Sequence, residues 1–204
     1  MRRPFDPQVS HIARWIAESG RKLQPDRAQA QRFLRLLDPE AGFFSFRTFS
    51  DTPYTRIPGS DPLERAIHGS LERCWAELTA LNRAGAAICV TINATNGHGR
   101  RPRDVMRVRA LFVDDDDPGS RAVLLSPPPD ITVESSPGRY HHFWLVRDLV
   151  LEEFVPAQVR LANRYGTDRK VCSPNQAMAL PGFWRRKSVG AVYQTRLLRV
   201  RGVP

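Results

Sequence analysis

Lysine is nearly missing from this chain of 204 residues: of its 31 lysines and arginines, only Lys22, Lys170 and Lys187 are lysine. Acid is also in short supply, with 21 residues, so the formal net charge is +10 and the sequence isoelectric point about 10.5. The three cysteines (Cys74, Cys89, Cys172) are odd in number and lack CxxC spacing. That pattern excludes a disulfide framework and a zinc ribbon, and it fits a reducing cytoplasm. No apolar run approaches the roughly 20 residues of a membrane helix. The first residues, Met1-Arg2-Arg3-Pro4-Phe5-Asp6-Pro7, are basic but carry no apolar signal segment, so neither a membrane nor a secreted protein is expected. No GxxxxGK[ST] loop occurs, which leaves no helicase motor in this sequence. What is present is arginine, whose planar fork of donors matches phosphate, and such a basic chain is expected to meet a polyanion. GC-rich codon usage would also enrich arginine, so charge alone leaves two readings open.

The hydropathy pattern reads as α+β. Val9, Ile12, Ala13 and Ile16 recur at helical spacing; a second helical run with Phe33, Leu34, Leu36 and Leu37 follows the cap residue Asp26. Residues 1–40 thus read as a helical segment and residues 41–204 as one compact unit. Phe43–Phe49 partly alternates, as a strand does, and Asp51–Pro62 is a proline-rich loop. The pair Asp61-Pro62 predicts the start of a long helix through Leu71, Trp75, Leu78 and Leu81, ending at Gly85. Strands are predicted over 87–92, 105–113, 122–125, 131–134, 140–146 and 192–200, and a helix over 151–165 closing at Gly166. The basic loop from Asn96 to Arg103 contains Arg100 and Arg101, candidates for nucleic-acid contact.

Three segments carry chemistry. The apolar run Leu111-Phe112-Val113 leads directly into Asp114-Asp115-Asp116-Asp117. Residues two apart on a strand share a face, so Asp114 and Asp116 present two carboxylates together while Asp115 turns away. Such a pair suits Mg²⁺ or Mn²⁺ in phosphoryl transfer; a solvated acidic turn is the plainer alternative. The second segment is Ser135-Ser136-Pro137-Gly138-Arg139, a type II hairpin turn by its Pro-Gly, whose Ser136, Arg139 and backbone N–H groups would form an anion site. His141 follows the turn, and because His142 must face the other way, one of the two histidines is packing or surface. In the third, Pro181-Gly182-Phe183-Trp184-Arg185-Arg186-Lys187, aromatics and cations mix in a way that suits nucleic acid. An apolar plug with a solvated basic edge fits it equally well.

In order and spacing these pieces resemble the RepB-like primase domain, a plasmid and phage branch of the archaeo-eukaryotic primase superfamily. The carriers are FFSFRTF from Phe43, ICVTINATNGHGRR from Ile88, RALFVDDDD ending at Asp117, ITVESSPGRYHHFWLV from Ile131, YGTDRKVC from Tyr165 and MALPGFWRRK ending at Lys187. The resemblance implies an antiparallel catalytic core of the RNA-recognition type packed on an N-terminal α/β unit. It implies primer synthesis on a single-stranded DNA template from nucleoside triphosphates with Mg²⁺ or Mn²⁺. Asp114, Asp116 and Asp168 would be the catalytic metal ligands. Ser136, Arg139, His141 and Lys187 would hold the nucleotide, and Arg100, Arg101, Arg185 and Arg186 the nucleic acid. A helicase or replication initiator would act in trans, in the cytoplasm.

The chain departs from its relatives where they commonly read Asp-Leu-x-Arg-Val-Met-Arg-Leu-Pro-Gly-Phe. Here Ser173, Gln176 and Ala179 stand in place of an acid and two arginines, and Ala94 and Asn96 stand where relatives tend to have acids. Two alternatives follow: a nucleic-acid-binding module of the same fold without catalysis, and a metal-dependent nickase. The nickase would need a His-apolar-His metal pair, which is absent, and nothing marks Tyr140 or Tyr165 as a nucleophile.

Overall fold

Asp26 opens a helix as its sequence context predicts: its carboxylate accepts from the Gln29 N–H at 3.1 Å. This helix, α2 (Arg27–Leu37), follows α1 (Pro7–Lys22), and it buries Ala30, Phe33, Leu34 and Leu37 along one stripe. In this computed structural model the described residues are 7–52, 60–116, 126–167, 171–188 and 190–200, with 7–10 and 199 described by backbone alone. The predicted strand 122–125 and the Asp117-Pro118-Gly119 turn lie outside them.

The first sheet is antiparallel, in the order β2 (Arg65–Gly69), β1 (Phe44–Ser50), β3 (Ala86–Thr91), β9 (Ala177–Ala179). The second has the order β12 (Arg196–Val200), β7 (Ile131–Ser136), β8 (Arg139–Leu145), β6 (Ala110–Asp115). Two small hairpins, β4 (Ala94–Thr95) with β5 (Val105–Arg107) and β10 (Trp184–Ser188) with β11 (Ala191–Gln194), complete the strands. Helix α3 (Leu71–Arg83) packs on the first sheet and α4 (Leu151–Tyr165) along β6. One apolar core runs through both sheets. Phe33 of α2 meets Phe143 of β8 edge-on at 5.4 Å, and Phe112 lies between Phe143 and Phe154. Each such fully buried phenylalanine contributes about 1.5–3 kcal/mol.

Three local expectations change. The long helix does not begin at Asp61-Pro62. Residues 65–69 form β2 on the edge of β1, and α3 starts after Ser70, whose hydroxyl accepts from the Arg73 N–H. Asp61 instead accepts from Ser50 N and Oγ at 2.8 and 2.6 Å, tying its loop to the strand end. The predicted strand 105–113 is broken between β5 and β6 because the Asn93 side-chain oxygen takes the Arg109 N–H at 2.9 Å. The predicted strand 192–200 is two strands hinged at Thr195, which exchanges backbone bonds with Gly182 and Phe183 while β12 pairs with β7.

β6 is an edge strand, and its exposed backbone is not left open. The Gln158 amide of α4 accepts from Phe112 N–H at 3.1 Å and donates to Phe112 C=O. That contact caps the edge at the strand bearing the acidic cluster.

Candidate active site

The pairing of β6 with β8 sets Asp114 opposite His141 and Asp115 opposite Tyr140. Strand alternation then sorts the acids as the sequence predicts. Asp114 and His141 share the face that is core further along at Phe112 and Phe143. Asp115 and His142 share the other, 3.9 Å apart. His142 is the packing histidine: fully buried, with Nδ1 3.1 Å from the Thr132 hydroxyl, and pushed down to about 4 mainly by burial.

On the site face His141 Nε2 approaches Asp114 Oδ1 at 3.3 Å, an electrostatic contact that is not aligned as a hydrogen bond, so Oδ1 is left buried without a hydrogen-bond partner. Nδ1 of His141 is likewise buried and unpartnered. Burial pushes the Asp114 carboxyl up, but His141, Lys187 and Arg139 outweigh it and hold the group below the usual carboxylate value. Asp116 receives Arg139 Nη1 at 3.0 Å across the hairpin mouth, where Gly138 (φ 72) makes the tight turn that Pro137-Gly138 predicts. Lys187 reaches Ser136 Oγ at 3.4 Å. Burial lowers the Lys187 amine, and Arg185 lowers it further.

The segment bearing Lys187 is placed by the Pro-Gly-Phe turn. Gly182 has φ +89, and a Cβ there would stand 2.1 Å from the Asp26 carbonyl oxygen, so only glycine lets the turn close on the α2 N-terminus. Phe183 plugs the core against Trp75 at 5.2 Å, so the turn is a plug as well as a carrier of charge. Arg185 is clamped by Asp51: Nε lies 3.1 Å from both carboxylate oxygens and Nη2 2.8 Å from one. The Arg186 N–H donates to the same carboxylate. Burial works against the Arg185 charge, yet Asp51 outweighs it and raises the guanidinium above its ordinary value.

The structure therefore brings together Asp114, Asp116, Ser136, Arg139, His141 and Lys187. Arg186 does not belong to a nucleic-acid surface: it is fully buried, with Nε on Ser19 Oγ at 3.1 Å and Nη1 on the Asn82 carbonyl at 2.6 Å, riveting α1 and α3 to β10. Arg185, 12% exposed at its side chain, is committed to Asp51. Arg100 and Arg101 stand apart, in an arginine-lined concavity with Arg47 and Arg103. Asp168 lies outside the described residues. Sequence reading missed Asp51, whose partner is 134 residues away with no local signal to announce it.

Among the described residues no three His, Cys, Asp or Glu side chains form a metal cluster. The pair Asp114 and Asp116, with one buried carboxylate oxygen unpartnered, nevertheless fits Mg²⁺ or Mn²⁺, which hard-ligand sites commonly hold through one or two carboxylates plus substrate phosphates. Ser173 donates to Asn175 Oδ1 within its own turn, so its hydroxyl is already occupied.

This is an α+β fold with the antiparallel core of the archaeo-eukaryotic primases. It superposes on the primase-polymerase domain of cyanophage S-2L with TM-score 0.71 at 18% identity, covering 88% of this chain and 92% of that one. It also superposes on primase RepB′ (TM-score 0.63, 18% identity, 86% of this chain, 57% of that one). The catalytic domain of RepB′ in complex with initiator DNA gives 0.57 at 19% identity, with 87% of each chain covered. No match was found among curated proteins. The family profile for the RepB DNA-primase N-terminal domain matches residues 87–202, more than half of the chain, and the chain belongs to that family.

Proposed function

We propose that this chain is the nucleotidyl-transferring domain of a DNA primase or primase-polymerase. It makes primers on single-stranded DNA from nucleoside triphosphates, in the cytoplasm, in plasmid or phage-type replication, with a helicase or initiator supplied in trans. The observation that carries the reading is the Asp114–Asp116 pair at the end of β6. Asp114, half-buried with one buried oxygen unpartnered, and the exposed Asp116 lie among His141, Arg139 and Lys187. Acid is kept ionised where cations converge, as nucleotidyl transfer requires.

Asp114 and Asp116, with Asp168, would hold Mg²⁺ or Mn²⁺, and the ion would supply Lewis-acid activation of a primer 3′-hydroxyl and charge neutralisation at the leaving pyrophosphate. Arg139, Lys187, His141 and the Ser136 hydroxyl orient the triphosphate against the carboxylate pair. Lys187 is the group best suited to accept a phosphate, because it is exposed at the site, beside the Ser136 hydroxyl, with the charge of Arg185 nearby. Residues 41–204 carry all of this chemistry, and residues 1–40 buttress the core.

The alternative, a DNA-binding module of the same fold without catalysis, is favoured by Ser173, Gln176 and Ala179 in place of an acid and two arginines, with the Ser173 hydroxyl already occupied by Asn175. Incubation with single-stranded DNA, labelled ATP or dATP, and Mg²⁺ or Mn²⁺ decides between them. Labelled oligomers from the wild type that vanish in Asp114→Ala/Asp116→Ala support the enzyme. No product under any metal, with strand binding unchanged in both proteins, supports the module.

A further inference from the structure

Glu134 is a buried acid that the carboxylate site does not use. The register of β7 on β8 sets it opposite Tyr140, on the face of the second sheet turned away from Asp114 and His141. Its side chain, 10% exposed, collects donors from three separate segments. One carboxylate oxygen, Oε1, accepts the Gly138 N–H at 3.3 Å, and Oε2 accepts both Arg196 Nη2 at 2.7 Å and the Tyr193 hydroxyl. Tyr193 in turn accepts from Arg196 Nε at 2.9 Å, so its hydroxyl both gives and takes. Burial pushes the Glu134 carboxyl up, but Tyr193, Arg196 and the Gly138 N–H outweigh it and hold the group below the usual carboxylate value. Burial and the bond to Glu134 push the Tyr193 phenol up to about 12, so it remains a donor at neutral pH.

The three segments are the two halves of the cradle and the strand between them. Ser136 and Arg139 flank the turn of the β7–β8 hairpin, whereas Lys187 lies on the β10–β11 hairpin. Among the described residues no backbone ladder joins one hairpin to the other; the chain passes from β11 to β12, and so to β7, through the hinge at Thr195. Tyr193 stands on β11 opposite Arg185, and Arg196 on β12 opposite Glu134 itself. Two hydrogen bonds among the described residues cross between the hairpins: Lys187 Nζ to Ser136 Oγ at 3.4 Å, and the Tyr193 hydroxyl to Glu134. The first is long, exposed, and made by the same groups that a phosphate would engage. The second is half-buried, and a ligand in the cradle leaves it intact.

We infer that Glu134 is a positioning residue. By holding Gly138 with one carboxylate oxygen and Tyr193 with the other, it fixes the spacing between Arg139 and Ser136 on one side and Lys187 on the other, and so fits the cradle to a triphosphate. The inference rests on the reading that these residues hold a nucleotide, and it goes beyond it by naming what sets their spacing. The physical reason is preorganisation. A single phosphate held by one hairpin needs no fixed distance to the other. A chain of phosphates held by both does, and its affinity falls in proportion to the time the two hairpins spend correctly spaced.

The test is isothermal titration of the whole chain in Mg²⁺ with ATP against AMP and with dATP against dAMP, read as the ratio of triphosphate to monophosphate affinity. Tyr193→Phe keeps the ring and removes only the hydroxyl. It is expected to weaken triphosphate binding about tenfold, the size of one hydrogen bond to a charged group, and to leave monophosphate binding within about twofold of the wild type. Glu134→Ala should lower the ratio at least as far, and adding Tyr193→Phe to it should lower it no further, because both remove the same bridge. Glu134→Gln keeps an acceptor oxygen for Tyr193 and should return the ratio to within about threefold of the wild type. Melting midpoints establish that each variant is folded at the titration temperature, and if Glu134→Ala is not, Tyr193→Phe decides. A purely structural brace would lower the midpoint and leave the ratio of the folded protein unchanged. A ratio that folded Tyr193→Phe keeps, whether by binding both ligands as the wild type does or by losing both equally, overturns the positioning role alone. A wild type that binds neither triphosphate better than its monophosphate sinks the nucleotide reading of the cradle, and the positioning role with it.

Discussion

The clamp between Asp51 and Arg185 gives the sharpest energetic prediction. Asp51 has a side chain 2% exposed and Arg185 one 12% exposed, so neither charge is screened well by water. Three guanidinium contacts at 2.8–3.1 Å and the Arg186 N–H converge on the one carboxylate. Asp51→Ala strands a nearly buried guanidinium and a buried N–H together. Breaking a buried pair from one side costs about 3–5 kcal/mol. For a chain of this size each kcal/mol moves the melting midpoint by about 2–4 °C, so a drop of about 6–20 °C is expected. The double variant Asp51→Ala/Arg185→Met removes both charges and leaves only the Arg186 N–H unanswered. It should therefore recover about 2 kcal/mol relative to the sum of the single changes. Urea unfolding of the four proteins, with midpoints and slopes fitted together, measures both quantities. An Asp51→Ala cost below about 1 kcal/mol, or additivity around the cycle, refutes the claim that this pair holds β10 and Lys187 in place.

Two further outcomes follow from single residues. His142 titrates at about 4 in the folded chain against an ordinary 6.5, so the folded state binds fewer protons between those values. Its contribution to stability is complete above pH 6.5 and is lost as the pH falls towards 4, about 2 kcal/mol of it between pH 7 and pH 5. Urea midpoints at the two pH values should show this loss in the wild type and a flatter profile in His142→Gln; parallel profiles would refute it. Gly182→Ala places a Cβ 2.1 Å from the Asp26 carbonyl at a φ of +89, and it should cost about 2–4 kcal/mol by thermal unfolding. A wild-type melting midpoint in that variant would show that the turn does not need to close on α2.

Much of the site was legible because a strand has a period of two. Alternation alone turned Asp115 away from Asp114 and separated His141 from His142; the register of β6 on β8 then set Asp114 against His141. The Pro-Gly hairpin and the Asp26 cap were equally local, each resting on turn chemistry within four residues. The failures came where a distant partner decided. Residues 65–69 became a strand because β1 offered an edge, overriding the helix signal of Asp61-Pro62. The strand predicted over 105–113 broke because the Asn93 side chain claimed a backbone N–H 16 residues on.

The two arginines after the Pro-Gly-Phe turn mark the limit most clearly. They are adjacent and chemically identical, and in sequence both read as surface charge meant for nucleic acid. By itself the sequence determined the alternating carboxylates, the turn and the surplus of cations, because these depend on residue type and short spacing. Only the tertiary structure decided that Arg186 is a buried rivet between α1 and α3, that Arg185 answers Asp51, and that Lys187 alone of the three reaches the carboxylate site. Burial and long-range pairing set the fate of a charge, and neither is written in its neighbours.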